Sequence, residues 1–336
     1  MTASDDYKAG VSYFGNRIPE HFVQRDLPDI VSHGCTYIVH TFSENDLQHY
    51  AGAMKAMVAA THAARLEAWL DPWGVGGVFG GEAYSNFVVR NPDALQVKRD
   101  GITAPMACIN SLKFSEYMRG WVDAAAETGT DVVFWDEPHL YPGSEAGLIN
   151  ADWACCCAVC EEMFRAKYGM PMPAILTPEV VEFREATLVG FLSKMCAYVK
   201  IQLMRNAVCL MPFDDDVHGI VHWEKVAEIP GLDILGVSPF WQFFKQDRDA
   251  FVGRFAEKVV ALAKMFGIES QVWLQAFLVP SGTEAELATA AEKARQAGVD
   301  NIAAWGFRGC DYMSSLRCEQ PEEVWRVIGE VFRGLR

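Results

Sequence analysis

Val132-Val133-Phe134-Trp135-Asp136-Glu137-Pro138-His139 is the stretch whose reading decides the fold. Four apolar residues in a row, two β-branched and two aromatic, read as a strand buried on both faces, the pattern of a parallel sheet. Two carboxylates and a proline stop it, because proline has no N–H to give to a ladder. Acids at the carboxyl end of a buried parallel strand stand where α/β folds keep their chemistry. One acid there reads as the solvated start of a loop; Asp-Glu-Pro-His points to function. Successive strand residues face opposite ways, so only one of Asp136 and Glu137 is expected centrally in a pocket.

Working outward, seven more short apolar runs have the same look: Val11–Gly15, Thr36–Thr41, Leu66–Leu70, Ala207–Met211, Ile234–Val237, Val272–Phe277 and Ile302–Phe307. Helical patterns fall between them, at 19–31, 44–64, 111–128, 177–206, 247–266, 283–297 and 321–332. Ser43 reads as an N-cap, and Thr283 with Glu286 as a capping box. Repeated β-then-α units predict a single (β/α)8 barrel (TIM barrel) over residues 1–336 as one catalytic domain. No glycine-rich dinucleotide or phosphate fingerprint follows the first strand, which lowers an open doubly wound sheet and an organic cofactor. Two connections are long, Asp71–Asn110 with its Trp73-Gly-Val-Gly-Gly-Val-Phe-Gly-Gly segment and Pro138–Leu176. Both leave the carboxyl ends of strands, so they read as pocket walls.

The 336 residues are 51% apolar, enough for a large core, and carry a net charge of -15, which repels nucleic-acid phosphates. The first residues show no signal-peptide pattern and no window approaches a membrane span. Ten cysteines in that setting imply a reducing compartment, and a cytoplasmic protein is expected. An oligomer stays open.

Cys155-Cys156-Cys157-Ala158-Val159-Cys160 is the densest run of soft ligands. Read as C-x-C-x-x-C it offers three thiolates, and tetrahedral zinc wants four ligands. Cys108 is the best fourth candidate and His139 the second; the extra thiol, Cys155 or Cys156, leaves the set open. Four thiolates would make a structural Zn2+ site pinning the two long loops together. Buried thiols on a helix start are the plainer alternative.

These residues resemble glycoside hydrolase family 42, the β-galactosidases of a large (β/α)8 clan whose fourth strand ends in Asn-Glu. The likeness covers roughly residues 100–170: a cysteine before the helix leading into the fourth strand, the acid-Glu-Pro end, and C-x-C-x-x-C before a helix with Phe164 and Tyr168-Gly169. The resemblance implies Glu137 as acid/base and Cys108, Cys155, Cys157 and Cys160 as zinc ligands. Asp136 departs from the clan's asparagine, and Gln275 stands where the clan places its glutamate nucleophile. Glutamine cannot form a glycosyl ester.

Sugar hydrolysis needs two carboxyl groups. Glu137 is the expected proton donor, its pKa raised by Trp135 and Asp136. Asp214, in the Asp214–Asp216 triplet after the fifth strand, is favoured as base, then Asp71, with Glu44, Asp46 and Asp311 as further choices. Asp136 as nucleophile is the alternative. Aromatic residues crowd the strand ends, and Trp73, Trp241 and Trp305 are expected to stack on a sugar's C–H face. Asn110, His139, Gln275 and Arg308 are expected to meet its hydroxyls or a carboxylate. The reading is a glycosidase acting on a small glycoside or oligosaccharide. A carbohydrate-binding barrel without catalysis, and a lyase or isomerase using Glu137 or His139, are the competing readings.

Overall fold

The computed structural model describes residues 7–142, 153–214, 216–313 and 315–335. Eight strands are all parallel: β1 (Lys8–Tyr13), β2 (Tyr37–Thr41), β3 (Glu67–Asp71), β4 (Val132–Asp136), β5 (Arg205–Leu210), β6 (Ile234–Val237), β7 (Glu269–Gln275) and β8 (Asn301–Trp305). They pair in sequence order, and β8 closes onto β1 through Lys8 opposite Asn301 and Val11 opposite Ala304. Helices lie between them, so the chain is a (β/α)8 barrel, as the strand spacing predicts. Among the described residues no helix is long and apolar enough to cross a membrane.

Strand alternation sorts the side chains into two cores. Tyr37, Val39, Trp69, Val132, Phe134, Ala207, Ile234, Trp273 and Ala303 fill the barrel interior. Their neighbours in sequence, such as Ile38, Leu70, Val133, Trp135 and Val208, pack outward on the helices. Tyr37 crosses the interior, giving its hydroxyl to Asn301 and receiving Gln271 Nε2 at 2.7 Å. It fits because β1 has Gly10 there: a Cβ would lie 2.0 Å from the Tyr37 ring. In the same parity Asp71 and Asp136, last residues of β3 and β4, end on the inner face at the carboxyl mouth.

The helices follow local signals, with a departure at Thr283. Ser43 caps the helix Glu44–His49 reciprocally with Asp46, and Asp247 caps Arg248–Phe266. The capping box expected at Thr283 does not form; the helix starts at Glu286, whose carboxylate instead accepts from Trp241 Nε1 at 2.9 Å. The long connection after β3 also holds a hairpin that the sequence reading passed over, Leu95–Val97 against Thr103–Ala107.

Candidate active site

β4 ends at Asp136, and Glu137 then takes a positive φ of 40°. A left-handed residue is uncommon outside glycine, and here it breaks the strand alternation. Both acids therefore line one pocket, contrary to the expectation that only one would. The turn is held on three sides. Glu137 N–H binds the carbonyl of Cys209 on β5 at 3.0 Å, and its carbonyl accepts His139 Nδ1 at 2.7 Å. Ser238, just past β6, donates its hydroxyl to Glu137 Oε1.

The glycine segment after β3 forms the roof. Gly80 N–H binds the carbonyl of Asp136 at 2.9 Å, and a Cβ at Gly80 would meet Asp136 Oδ2 at 2.5 Å. Gly81 lies against Trp73 so closely that a Cβ would come within 1.8 Å of the indole. Glu44 secures this segment from below, accepting from Gly76 N, Ser85 Oγ and Phe87 N. The segment is thus an ordered wall.

The pocket has about 130 Å3 of free volume. Trp73, Trp273, Trp305, Phe240, Phe243, Phe244, Phe277 and Leu316 line it, with Asp136, Glu137, Glu82, Ser238 and Cys209 as its polar and thiol groups. Asp71 lies beside them, fully buried, with neither carboxyl oxygen partnered.

Burial dominates the electrostatics. It pushes Asp71 well above the usual carboxylate range, and the nearby Asp136 and Glu137 push it further. Asp136 is likewise raised by burial, then by Glu137 and Glu82. Glu137 is raised by burial, against the pull of the Ser238 hydrogen bond and His218. Trp135 has no part in this: it faces the helices, with Nε1 on Asn206 Oδ1 at 3.0 Å. Asp71, buried with neither oxygen partnered, keeps its proton above the usual carboxylate range, and Asp136 and Glu137 are raised in the same direction beside it. His139 is pushed down to about 4 by burial, which fits a neutral ring donating from Nδ1.

Of the residues expected to meet a sugar, Trp73 and Trp305 line the pocket and five do not. Trp241 is buried against Glu286. Gln275 is fully buried, its amide held between Phe243 N and the carbonyl of Phe277. Arg308 pairs with Asp29 at 2.7 Å, and His139 supports Glu137 from behind. Asn110 sends its amide to Cys160 Sγ at 3.3 Å.

The favoured base is also elsewhere. Asp214 forms ion pairs with Arg254 and Lys258 and is no part of the pocket lining; Asp215 lies outside the described residues. Asp46 pairs with Arg17 and Asp311 with Arg317. Glu82 and Ser238 are pocket residues the sequence reading missed. Glu82 lies in a glycine-rich loop and Ser238 one residue beyond its strand, positions with no pattern of their own.

Cys108, Cys155, Cys157 and Cys160 converge, their sulfur atoms all within 4.8 Å of one another. Cys108 Sγ lies 3.6 Å from both Cys157 and Cys160 and 3.7 Å from Cys155. Four sulfurs about 2.3 Å from a tetrahedral zinc would be separated by about 3.8 Å, so the cradle has the size of such an ion. The hairpin explains the meeting of two distant loops. Cys108 follows its second strand, Cys156 N–H binds the carbonyl of Val97 at 2.7 Å, and Gln96 bonds to both Ala107 and Tyr141. Cys156 stays outside the cradle.

Arg184, on the helix Pro178–Ile201, ties this knot to the barrel. It is 1% exposed and donates to the carbonyls of Ala154, Asp216 and Val217. Glu185 next to it accepts from Val221 N and His222 N. Burial alone would raise Glu185, but Lys225 and His222 outweigh it and hold the carboxyl low. One helix thus grips both ends of the segment 216–222 that carries His218.

No protein-family model matches the chain, and no curated protein matches it. Solved structures do resemble it throughout. An endo-1,4-β-mannanase from Rhizomucor miehei is 9% identical with a TM-score of 0.66, over 99% of this chain and 97% of that one. An endo-β-1,4-mannanase from Thermotoga petrophila is 11% identical, TM-score 0.65, over 98% of this chain and 76% of that one. A D-allulose 3-epimerase from Methylomonas sp. is 10% identical, TM-score 0.52, over 100% and 99%. The class defined is a (β/α)8 barrel with an acid-lined pocket at its carboxyl mouth. Hydrolases and an epimerase share that fold, so the activity must be argued from the site.

Proposed function

We propose that the chain is a glycoside hydrolase acting on a small glycoside or oligosaccharide, with Glu137 as proton donor and Asp136 as the second carboxyl group. The observation that carries this is the placing of both acids in one small pocket walled by tryptophan and phenylalanine. Rings of that kind stack on the C–H face of a sugar, and the acids reach its oxygens. Ser238 occupies Glu137 Oε1, which leaves Oε2 to carry the proton. That proton passes to the departing glycosidic oxygen as its bond to the anomeric carbon breaks. Asp136, in molecules where it has already released its proton to solvent, faces the positive charge growing on the ring. Water then adds hydroxide to the anomeric carbon and returns a proton to Glu137. The four-cysteine cradle would hold a structural Zn2+, with no part in the bond-breaking.

Hydrolysis of a panel of 4-nitrophenyl glycosides by wild type, Glu137→Gln and Asp136→Asn tests the reading. A wild-type rate lost by at least about 100-fold in Glu137→Gln supports it. Sugar binding without turnover would favour a carbohydrate-binding barrel, a reading supported by Gln275 standing where the resembled clan has its glutamate nucleophile.

A further inference from the structure

The acid pocket does not stand alone at the mouth of the barrel. A second cleft, about 360 Å3, is lined by Trp73 as well, together with Phe14, Arg17, Asn45, Tyr50 and Tyr84. The loop that closes the pocket with Gly81 and Glu82 runs on into this cleft as Ala83 and Tyr84. From within, Trp273 meets Trp305 at 5.6 Å, Trp305 meets Phe14 at 5.8 Å, and Phe14 stacks on Trp73 at 5.8 Å and 12°. An unbroken row of rings therefore leads from the acids into the cleft.

The floor of the cleft is built from groups already paired within the fold. Arg17 is mostly buried and donates to Asp46 and to the carbonyl of Thr41, so its charge is matched within the fold. The rim is the reverse: Tyr84 is 67% and Tyr50 46% exposed, and Asn45 beside them is exposed too. Exposed tyrosines over a neutralised polar floor suit a ligand with one apolar face and many hydroxyls. A charged ligand would find no unmatched counter-charge on Arg17.

Resting on the glycosidase reading for the inner pocket, we infer that this cleft binds the next sugar unit of the same glycan, with Tyr84 as its stacking platform. The substrate class is accordingly an oligosaccharide of two or more units, held across Trp73, in preference to a simple monosaccharide glycoside.

The test compares 4-nitrophenyl mono- and disaccharides of one sugar: glucoside with cellobioside, mannoside with mannobioside, xyloside with xylobioside. For whichever pair is cleaved, wild type should favour the disaccharide in kcat/KM by about tenfold, and Tyr84→Ala should bring that ratio close to one. A wild-type ratio near one, or a ratio that Tyr84→Ala leaves unchanged, overturns the inference. If nothing is cleaved, calorimetry with cellobiose, mannobiose and xylobiose separates the two ideas. Disaccharide binding weakened by Tyr84→Ala keeps the cleft and removes the hydrolase; no binding of any disaccharide removes the cleft. Tyr84 is exposed, so the variant is expected to fold, and its circular dichroism checks that.

Discussion

His139 donates from its ring Nδ1 to the main-chain carbonyl of Glu137 at 2.7 Å, while its own amide N–H holds the carbonyl of Val78 at 3.0 Å. One residue thus fastens the left-handed turn at Glu137 to the roof of the pocket. That conformation costs on the order of 1 kcal/mol and needs support from its surroundings. Removing the donor with His139→Phe should lower kcat/KM at least about tenfold and destabilise the fold by about 1–3 kcal/mol. Asparagine can place an amide N–H near the position of Nδ1, so His139→Asn should recover most of the activity. A catalytic imidazole would give a different outcome: both variants would fail equally.

Asp71 makes stability depend on pH. Its carboxyl is raised well above the ordinary range, so the native state keeps a proton that the unfolded chain has released. Native protein then binds more protons than unfolded, and stability must fall as pH rises from the usual carboxylate range toward the raised value. The slope for one group is at most about 1.4 kcal/mol per pH unit. Asp71→Asn, which cannot ionise, should therefore melt higher than wild type at pH 8 and show a flatter decline between pH 5 and 8. His139 works in the opposite sense. Its ring titrates at about 4 in the fold against 6.5 normally, so its contribution is lost as pH falls through that interval. Melting curves across pH 4–8 check both signs.

The barrel was legible because buried parallel strands announce themselves as short apolar runs, and all eight runs became strands. The place of Glu137 at a strand end and the cysteine run were legible for a related reason, distinctive residue types next to unmistakable local structure. The choice of Cys155 over Cys156 came only from the family resemblance. The position of the favoured base, Asp214, was not legible, although Asp136, the alternative, does line the pocket. Asp214 and Asp71 both follow strands closely, yet Asp71 closes β3 on the inner face while Asp214 lies past β5 beside Arg254 and Lys258. Strand parity separates these two, and it depends on the residue at which each strand ends. Parity also misled at Glu137, because its positive φ is imposed by Cys209 and His139, partners distant from any local propensity.

The cysteine cradle yields a prediction with an internal control. Metal analysis of the purified chain should find one zinc per molecule. Cys157→Ser should lose it and lower the melting temperature, because the cradle joins the hairpin loop to the segment after β4. Cys156→Ser, one residue away but outside the cradle, should keep the metal and melt close to wild type. Equal behaviour of the two variants would mean the cluster is a set of buried thiols.

Arg184 connects the two halves of the site, and its removal should damage both. It is a buried cation whose guanidinium meets three main-chain carbonyls, one in the cysteine segment and two in the segment leading to His218. Arg184→Met removes three charge-assisted hydrogen bonds at once and leaves the carbonyl of the fully buried Ala154 without this donor, a loss of about 3 kcal/mol or more. Lysine keeps the charge but not the planar fork, and cannot span carbonyls at 154, 216 and 217 together. Arg184→Lys should consequently resemble Arg184→Met more than wild type, which separates hydrogen-bond geometry from charge. If the segment 216–222 is positioned by this grip, both variants should also shift the pH profile of activity, because His218 helps hold down the pKa of Glu137. Loosening His218 lets that pKa rise, so the limb of the profile governed by Glu137 should move to higher pH. A variant that melts lower yet keeps the wild-type profile would confine Arg184 to stability alone.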